Sequence, residues 1–365
     1  MMGAGWRGSL SSGQLFWLMF VLMFPTLVFF PPGDLIRDGG RWAWLTPLVA
    51  AVPACLLCSW VGRRAGKHGD WVAVARKGLG PVAAPAALAL TWLPVAAYAV
   101  VIHREFADIA SATYVLAMVP KAALLMIGIV VTMYVAWLGP IVMARAASLL
   151  GPMVVVVFLA SIVLWLPSVR LVFVRPFLPA NLDFLNADGL LLMTTWLIEP
   201  ILGALLIHRA SGPARQRAGR TFVAAAALAA VLTSVTTWVV VAVVSVQHGS
   251  TLSTPFITML QAIQSGFFPL HLETVVVPVD LMAGTMKTGL FVWFMARLAR
   301  GVAPLPFAWL IAGSALLSTV VAGMAFSTPI QTDAALKQVL GPWAMPALVA
   351  TCVLTYATFR RRVAA

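Results

Sequence analysis

Two sets of ionisable side chains fall inside stretches too apolar for ordinary charges. Glu199 stands beside Pro200 in the apolar run from Gly189 to Ile207. A carboxylate in hydrocarbon is costly, so an acid placed there is by default a functional-site candidate. The neighbouring proline frees backbone groups, which a spanning helix tolerates only where protein or a cavity satisfies them. The second set is Glu273, Asp280 and Lys287, at intervals of seven. Seven residues come close to two helical turns, so all three share one face, ~10 Å apart along the axis. At that distance they do not pair with one another, and each must look to another helix or to water. Ala283, Gly284, Thr285, Thr288 and Gly289 lie around them, small residues that let a helix approach or leave room for a ligand. This is chemistry of ion and small-molecule binding. For bond breaking the chain offers little: His68, His103, His208, His248 and His271 are scattered over interfaces and loops. There is no His-Glu-x-x-His, Gly-x-Ser-x-Gly or phosphate-loop pattern, so neither an enzyme nor an ATP-driven pump is expected, and no cofactor or metal.

The elements that must position these groups are membrane spans. The chain has 365 residues, 62% hydrophobic and 10% charged, with mean hydropathy +0.98. A soluble domain cannot cover that much apolar surface. Continuous runs of about 20 apolar residues, rather than alternation, predict an all-α polytopic membrane protein and not a β-barrel. Ten spans are expected near 12–31, 43–61, 82–104, 121–138, 148–167, 188–208, 221–246, 269–297, 303–323 and 342–359. With the N-terminus inside, the inner segments carry sixteen Lys and Arg and the outer ones seven, with Lys287 inside a span. That bias places both termini in the cytoplasm. It also accounts for the net charge of +13 without a nucleic-acid partner. The inner piece Gly69–Lys77 and the cluster Arg360–Arg362 are expected at the lipid headgroups. Cys55, Cys58 and Cys352 read as small core residues. The apolar stretch Leu15–Phe30 behind Arg7 imitates a signal peptide but reads as a retained first span.

Ten spans divide into two halves of five, repeat one about 12–167 and repeat two about 188–359, within a single transmembrane domain over 1–365. An odd number per half inverts the second half. Phe24-Pro25-Thr26 interrupts the first span as Glu199-Pro200 interrupts the sixth, and paired interruptions point to a substrate site between inverted repeats. Expected ligand contacts are Phe24, Pro25, Thr26, Tyr98, Trp196, Ile198, Glu199, Thr285 and Thr288, with Asp280 and Lys287 on the cavity side. The Lys287 ammonium is expected where sodium-coupled carriers hold an ion, taking carbonyl oxygens freed near Pro25. Arg104 and Asp108, at i and i+4, can pair at an exposed helix end or form an outer gate. The Tyr98 hydroxyl, deeper in the same span, needs a partner.

Several motifs in this order resemble the endospore germination permeases, the B subunits of spore germinant receptors within the amino acid–polyamine–organocation transporters. Leu10-Ser-Ser-Gly-Gln14 is similar to the family's Ile-Ser-x-x-Gln start, and Gly40-Arg-Trp-Ala-Trp44 to its Asp/Gly-x-x-Ala-Trp. Arg104-Glu-Phe106-Ala-Asp108-Ile109 resembles an Arg-x-Phe-x-Glu/Asp run, Trp196-Leu-Ile-Glu199 a sixth-span segment, and Glu273 with Lys287 the eighth-span spacing. Two positions depart: Asp280 stands where a Trp is usual, and Gly139-Pro140-Ile141 where a Glu is common. The resemblance implies a LeuT-like 5+5 inverted repeat with broken helices 1 and 6, a small germinant such as an amino acid, and the spore inner membrane. It also implies a membrane-associated A subunit and a lipoprotein C subunit as partners. A proton-coupled amino-acid symporter is the other reading of the same residues.

Overall fold

The computed structural model describes residues 8–364 apart from 112–117, 177, 178, 180, 253, 263, 266, 267, 270–272 and 327. Arg7, His271, and the side chains of Glu273 and Arg360–Arg362 lie outside that set, and with them the expectations made for them. Among the described residues ten helices are long and apolar enough to cross a membrane. We number the α-helix of each span α1 Ser12–Phe29, α2 Thr46–His68, α3 Trp71–Ser111, α4 Lys121–Leu138, α5 Pro140–Trp165, α6 Ala187–Leu197, α7 Gly212–Val244, α8 Glu273–Val302, α9 Phe307–Ala325 and α10 Met345–Ala364, the sixth span running on to Leu205 beyond its α-helix. All ten expected spans are present. Several helices outrun them: α5 begins at Pro140 and α7 at Gly212. Hydropathy marks only the hydrocarbon-crossing part of a helix.

The start of α1 explains one of the family-like motifs physically. Ser11 Oγ accepts the Gln14 amide at 3.2 Å, and Gln14 Oε1 accepts the Ser11 amide at 3.0 Å. This reciprocal capping box satisfies two donors that a helix start leaves free. Leu10 then bridges the segment after α6: its amide donates to the Arg209 carbonyl at 2.8 Å and its carbonyl accepts the Ser211 amide at 3.0 Å. The two half-chains are thereby joined at what we term the terminal face. The opposite, distal face carries a short helix Pro31–Gly39 and a 3₁₀ turn Gly40–Leu45. Asp34 in that helix pairs with Arg37 and Lys337, each at 2.8 Å. The segment expected as an outer loop is thus helical and packed, because Leu35 and Ile36 bury on the bundle.

The inner piece 71–79 packs one side against the bundle. It is a helix joined to the spanning part of α3 across Gly80, whose φ of 84° lies in the left-handed region. Trp71 is fully buried. Arg76 donates to the carbonyl of Gly301, and Tyr356 of α10 to the carbonyl of Gly69. Its apolar face found protein closer than lipid.

Helices α2 and α7 meet through glycines. A Cβ on Gly62 would stand 2.6 Å from the Gly219 Cα, and one on Gly66 2.2 Å from the Arg215 carbonyl oxygen. Small residues at such a crossing let backbones touch, which is how membrane helices gain packing energy without a hydrophobic drive. Gly62→Leu is therefore expected to cost about 1–3 kcal/mol by overpacking, read as a lower Tm in detergent. Gly128→Leu, where an added Cβ meets nothing within 4 Å, is the matched control and stays within about 0.5 kcal/mol.

Candidate functional site

The regular helix of α6 stops at Leu197 and a 3₁₀ segment, Glu199–Leu205, continues it. Pro200 has no amide hydrogen and its ring crowds the preceding turn, so the i→i−4 ladder cannot run through it. The carbonyls left at the break are received by neighbours. Tyr98 of α3 donates its hydroxyl to the Thr195 carbonyl at 2.9 Å, and the Cys58 thiol of α2 reaches the Leu197 carbonyl at 3.8 Å. Helix ends need such partners when buried. The role of Tyr98 here is thus to hold the break, and Cys58 has a specific partner beyond its packing.

At this break lies a buried charge network. Lys287 Nζ of α8 stands 2.9 Å from Glu199 Oε1 and 4.4 Å from the centroid of the Trp196 ring. It also donates to Thr26 Oγ1 at 2.8 Å, and that hydroxyl in turn lies 3.5 Å from Glu105 Oε2 of α3. Lys287 and Glu199 are each 1% exposed and Glu105 is 2% exposed. One ammonium therefore gathers α1, α3, α6 and α8. Trp196 and Tyr98 meet edge to face at 5.6 Å, and Tyr98 stacks on Phe291 at 5.8 Å, which closes the aromatic wall behind the lysine.

Two small cavities flank the network. One is lined by Thr26, Glu105, Phe106, Asp280, Gly284 and Lys287, among others; the second by Phe24, Phe158, Phe256, Val276 and Asp280, among others. Each holds about 10 Å³, room for one water and not for an amino acid. The conformation is closed. On the distal side Asp108 Oδ2 accepts from Arg104 at 3.1 Å and Asp108 Oδ1 from Lys121 at 2.7 Å, while Arg104 Nη1 donates to the Phe326 carbonyl. On the terminal side Asp70 binds Arg297 at 2.6 Å and faces His208 at 3.9 Å.

With this geometry in view, the comparisons with known proteins can be read. A family model described as spore germination protein matches residues 9–312. The chain belongs to the spore germination protein family. Among solved structures it is similar to Mhp1, a nucleobase-cation-symport-1 family transporter in a closed conformation with bromovinylhydantoin bound. The TM-score is 0.63 at 12% identity, covering 98% of this chain and 93% of that one. The fold is that of the LeuT-like transporters. Comparison with curated protein sequences gives no match.

In this germination permease fold the expected site residues divide. Thr26, Trp196, Glu199 and Lys287 converge, and Pro25 and Asp280 line the cavity beside them. Phe24 lines the second cavity, edge to face with Phe158 at 5.4 Å. Ile198 is the buried residue at the break itself. Thr285 and Thr288 do not join. The Thr288 hydroxyl meets Thr132 of α4 at 3.0 Å, and that of Thr285 bonds back to the Leu281 carbonyl at 2.7 Å. At 100° per residue they stand about 140° and 80° around α8 from Asp280, whereas Gly284 and Lys287 stay within about 40°. Four further expectations are corrected. The interruption of the first span falls at Phe30, after α1 has run through Pro25. Lys287 takes the Thr26 hydroxyl and the Glu199 carboxylate, not carbonyls freed near Pro25, since a carboxylate binds an ammonium more strongly than a neutral oxygen. Arg104 and Asp108 are buried, not an exposed helix end, because α3 continues to Ser111. His103 is likewise buried rather than interfacial, its Nδ1 2.7 Å from the Ala99 carbonyl. Glu105 was missed; its signal was the seven-residue spacing from Tyr98, the same repeat that placed Asp280 and Lys287 together.

Proposed function

We propose that this chain is the integral membrane subunit of a spore germinant receptor that senses a small germinant, an amino acid, in the pocket at the α6 break. Both termini face the cytoplasm, the membrane is the spore inner membrane, and the working partners are an A-type subunit, a lipoprotein C-type subunit and the surrounding lipid. The pocket lies between two inverted repeats, 12–167 and 188–359. One observation carries this reading: a single buried lysine joins Glu199, Thr26 and, through it, Glu105, so the four helices that would have to separate around a ligand share one set of contacts. A ligand shifts such an arrangement only by binding one state better than the other. A molecule that replaces the Glu199–Lys287 contact does so by construction, and the shift is passed to the partner subunits as the signal.

The second reading, a proton-coupled amino-acid symporter, is favoured by Asp280, a buried acid whose Oδ1 has no hydrogen-bond partner among the described residues, since a proton is the simplest cation to balance it. Vesicles holding only this chain separate the two. The receptor reading expects saturable amino-acid binding without accumulation, and a germination response only with the partner subunits present. Concentrative uptake driven by a proton gradient in the absence of partners would replace it with the symporter.

A further inference from the structure

The pocket contains a buried acid that the network does not answer. Asp280 is 4% exposed, and its Oδ1 has no hydrogen-bond partner among the described residues. Lys287 is already engaged elsewhere: it donates to Glu199 and Thr26, and its ammonium lies over the Trp196 ring. Among the described residues, Asp280 alone lines both cavities. On one side of it the walls are Phe24, Val28, Val154, Phe158 and Val276, apolar throughout; on the other they include Glu105 and Thr26. Asp280 thus stands, buried, between an apolar cavity and one that also holds Glu105, Thr26 and Lys287. A buried acid with an unfilled acceptor is costly until a donor meets it, and a cationic donor meets it most strongly.

We propose that Asp280 is a specificity-determining contact for the cationic nitrogen of the ligand, and that the ligand is an aliphatic organic cation such as a basic amino acid. The inference rests on the pocket named under Proposed function. A hydrocarbon chain occupies the apolar cavity once the helices part, and its terminal ammonium or guanidinium lies at Asp280, with Glu105 across the same cavity. A buried carboxylate set to pair with such a group rejects the analogue that lacks it, because binding the neutral molecule leaves the acid desolvated and unpaired. A metal ion fits less well: the walls beside Asp280 are largely aromatic and aliphatic and supply few further oxygen ligands.

The test is a binding series on the purified full chain in nanodiscs, using L-lysine, L-norleucine (lysine without its side-chain ammonium), L-alanine, L-glutamate and 1,5-diaminopentane. L-Lysine is expected to bind at least tenfold tighter than L-norleucine in the unaltered protein, so the outcome does not depend on any variant folding. Asp280→Asn is expected to narrow the lysine-to-norleucine ratio by at least tenfold. Equal or tighter binding of L-norleucine or L-alanine overturns the inference and leaves the pocket standing. Uptake of one proton on L-norleucine binding, with no preference for lysine, overturns it in favour of a proton site at Asp280. If no member of the series binds, both the inference and the pocket reading fall.

Discussion

Replacing Lys287 with methionine is expected to destabilise the protein by about 3–5 kcal/mol, the range for removing one partner of a buried ion pair. The chain length of the side chain is nearly kept, so the loss is electrostatic rather than a matter of volume. Glu199 then sits 1% exposed at a helix break with its cation gone, and Thr26 loses the donor that orients it toward Glu105. The face of Trp196, 4.4 Å from the ammonium, loses a cation–π contact as well, worth about 2 kcal/mol in a dry site. The double variant Lys287→Met with Glu199→Leu is expected to recover most of the stability, because an apolar pair of similar volume replaces a charge pair at little or no net cost. It is not expected to recover the ligand response. Thermal unfolding in detergent and germinant binding on the single and double variants check this. Full additivity of the two single losses would mean that Lys287 and Glu199 do not act as a pair. Lys287→Arg is no conservative control here, since a planar fork does not reproduce one compact ammonium between a hydroxyl, a carboxylate and an indole face.

Asp108→Asn is the second substitution with a large expected effect, and its readout is conformational. Asp108 holds Arg104 within its own helix and Lys121 at the start of α4, and Arg104 reaches on to the Phe326 carbonyl at the end of α9. These three contacts tie the distal ends of α3, α4 and α9. Asparagine keeps the shape and removes the charge, which leaves a 3% exposed guanidinium without its carboxylate. The closed state should lose about 2–3 kcal/mol relative to one in which the distal ends have parted and Arg104 is hydrated. Each ~1.4 kcal/mol is a tenfold population shift. A cysteine at Ile109, which lines the cavity, with Cys55, Cys58 and Cys352 changed to serine, reports it. Its labelling by a membrane-impermeant maleimide is expected to rise at least tenfold in Asp108→Asn. An unchanged rate with a normal Tm would show that the charge cluster does not hold this face closed.

How much of this could be read before folding differs from residue to residue, for physical reasons. The spans were legible because hydrocarbon imposes length and composition on every crossing segment. Pro200 announced the α6 break because the lack of one amide hydrogen is a local property of the chain. The period of α8 put Asp280 and Lys287 on one side, and they are found there. Glu105 was not read as a site residue, since a run of His, Arg, Glu and Asp at the end of a span looks the same whether the helix ends in water or continues another turn into the protein. The piece 71–79 posed the same problem: an amphipathic helix does not state whether its apolar side meets lipid or another helix.

The sequence by itself determined that this is a ten-helix membrane protein with a break at Glu199–Pro200, an acid and a lysine on one face of the eighth span, and motifs in the order of the germination permeases. These follow from periodicity, chain chemistry and the cost of charge in hydrocarbon, all of which act along the chain. Only the tertiary structure decided that Lys287 spends its charge on Glu199 and Thr26, that Tyr98 and Cys58 hold the broken helix, that Thr285 and Thr288 turn away, and that Asp280 is left facing two cavities. Those outcomes depend on which side chains of different helices come within hydrogen-bond distance of one another. The partners are 88 and 261 residues apart for Lys287 alone, a separation over which no local pattern carries information.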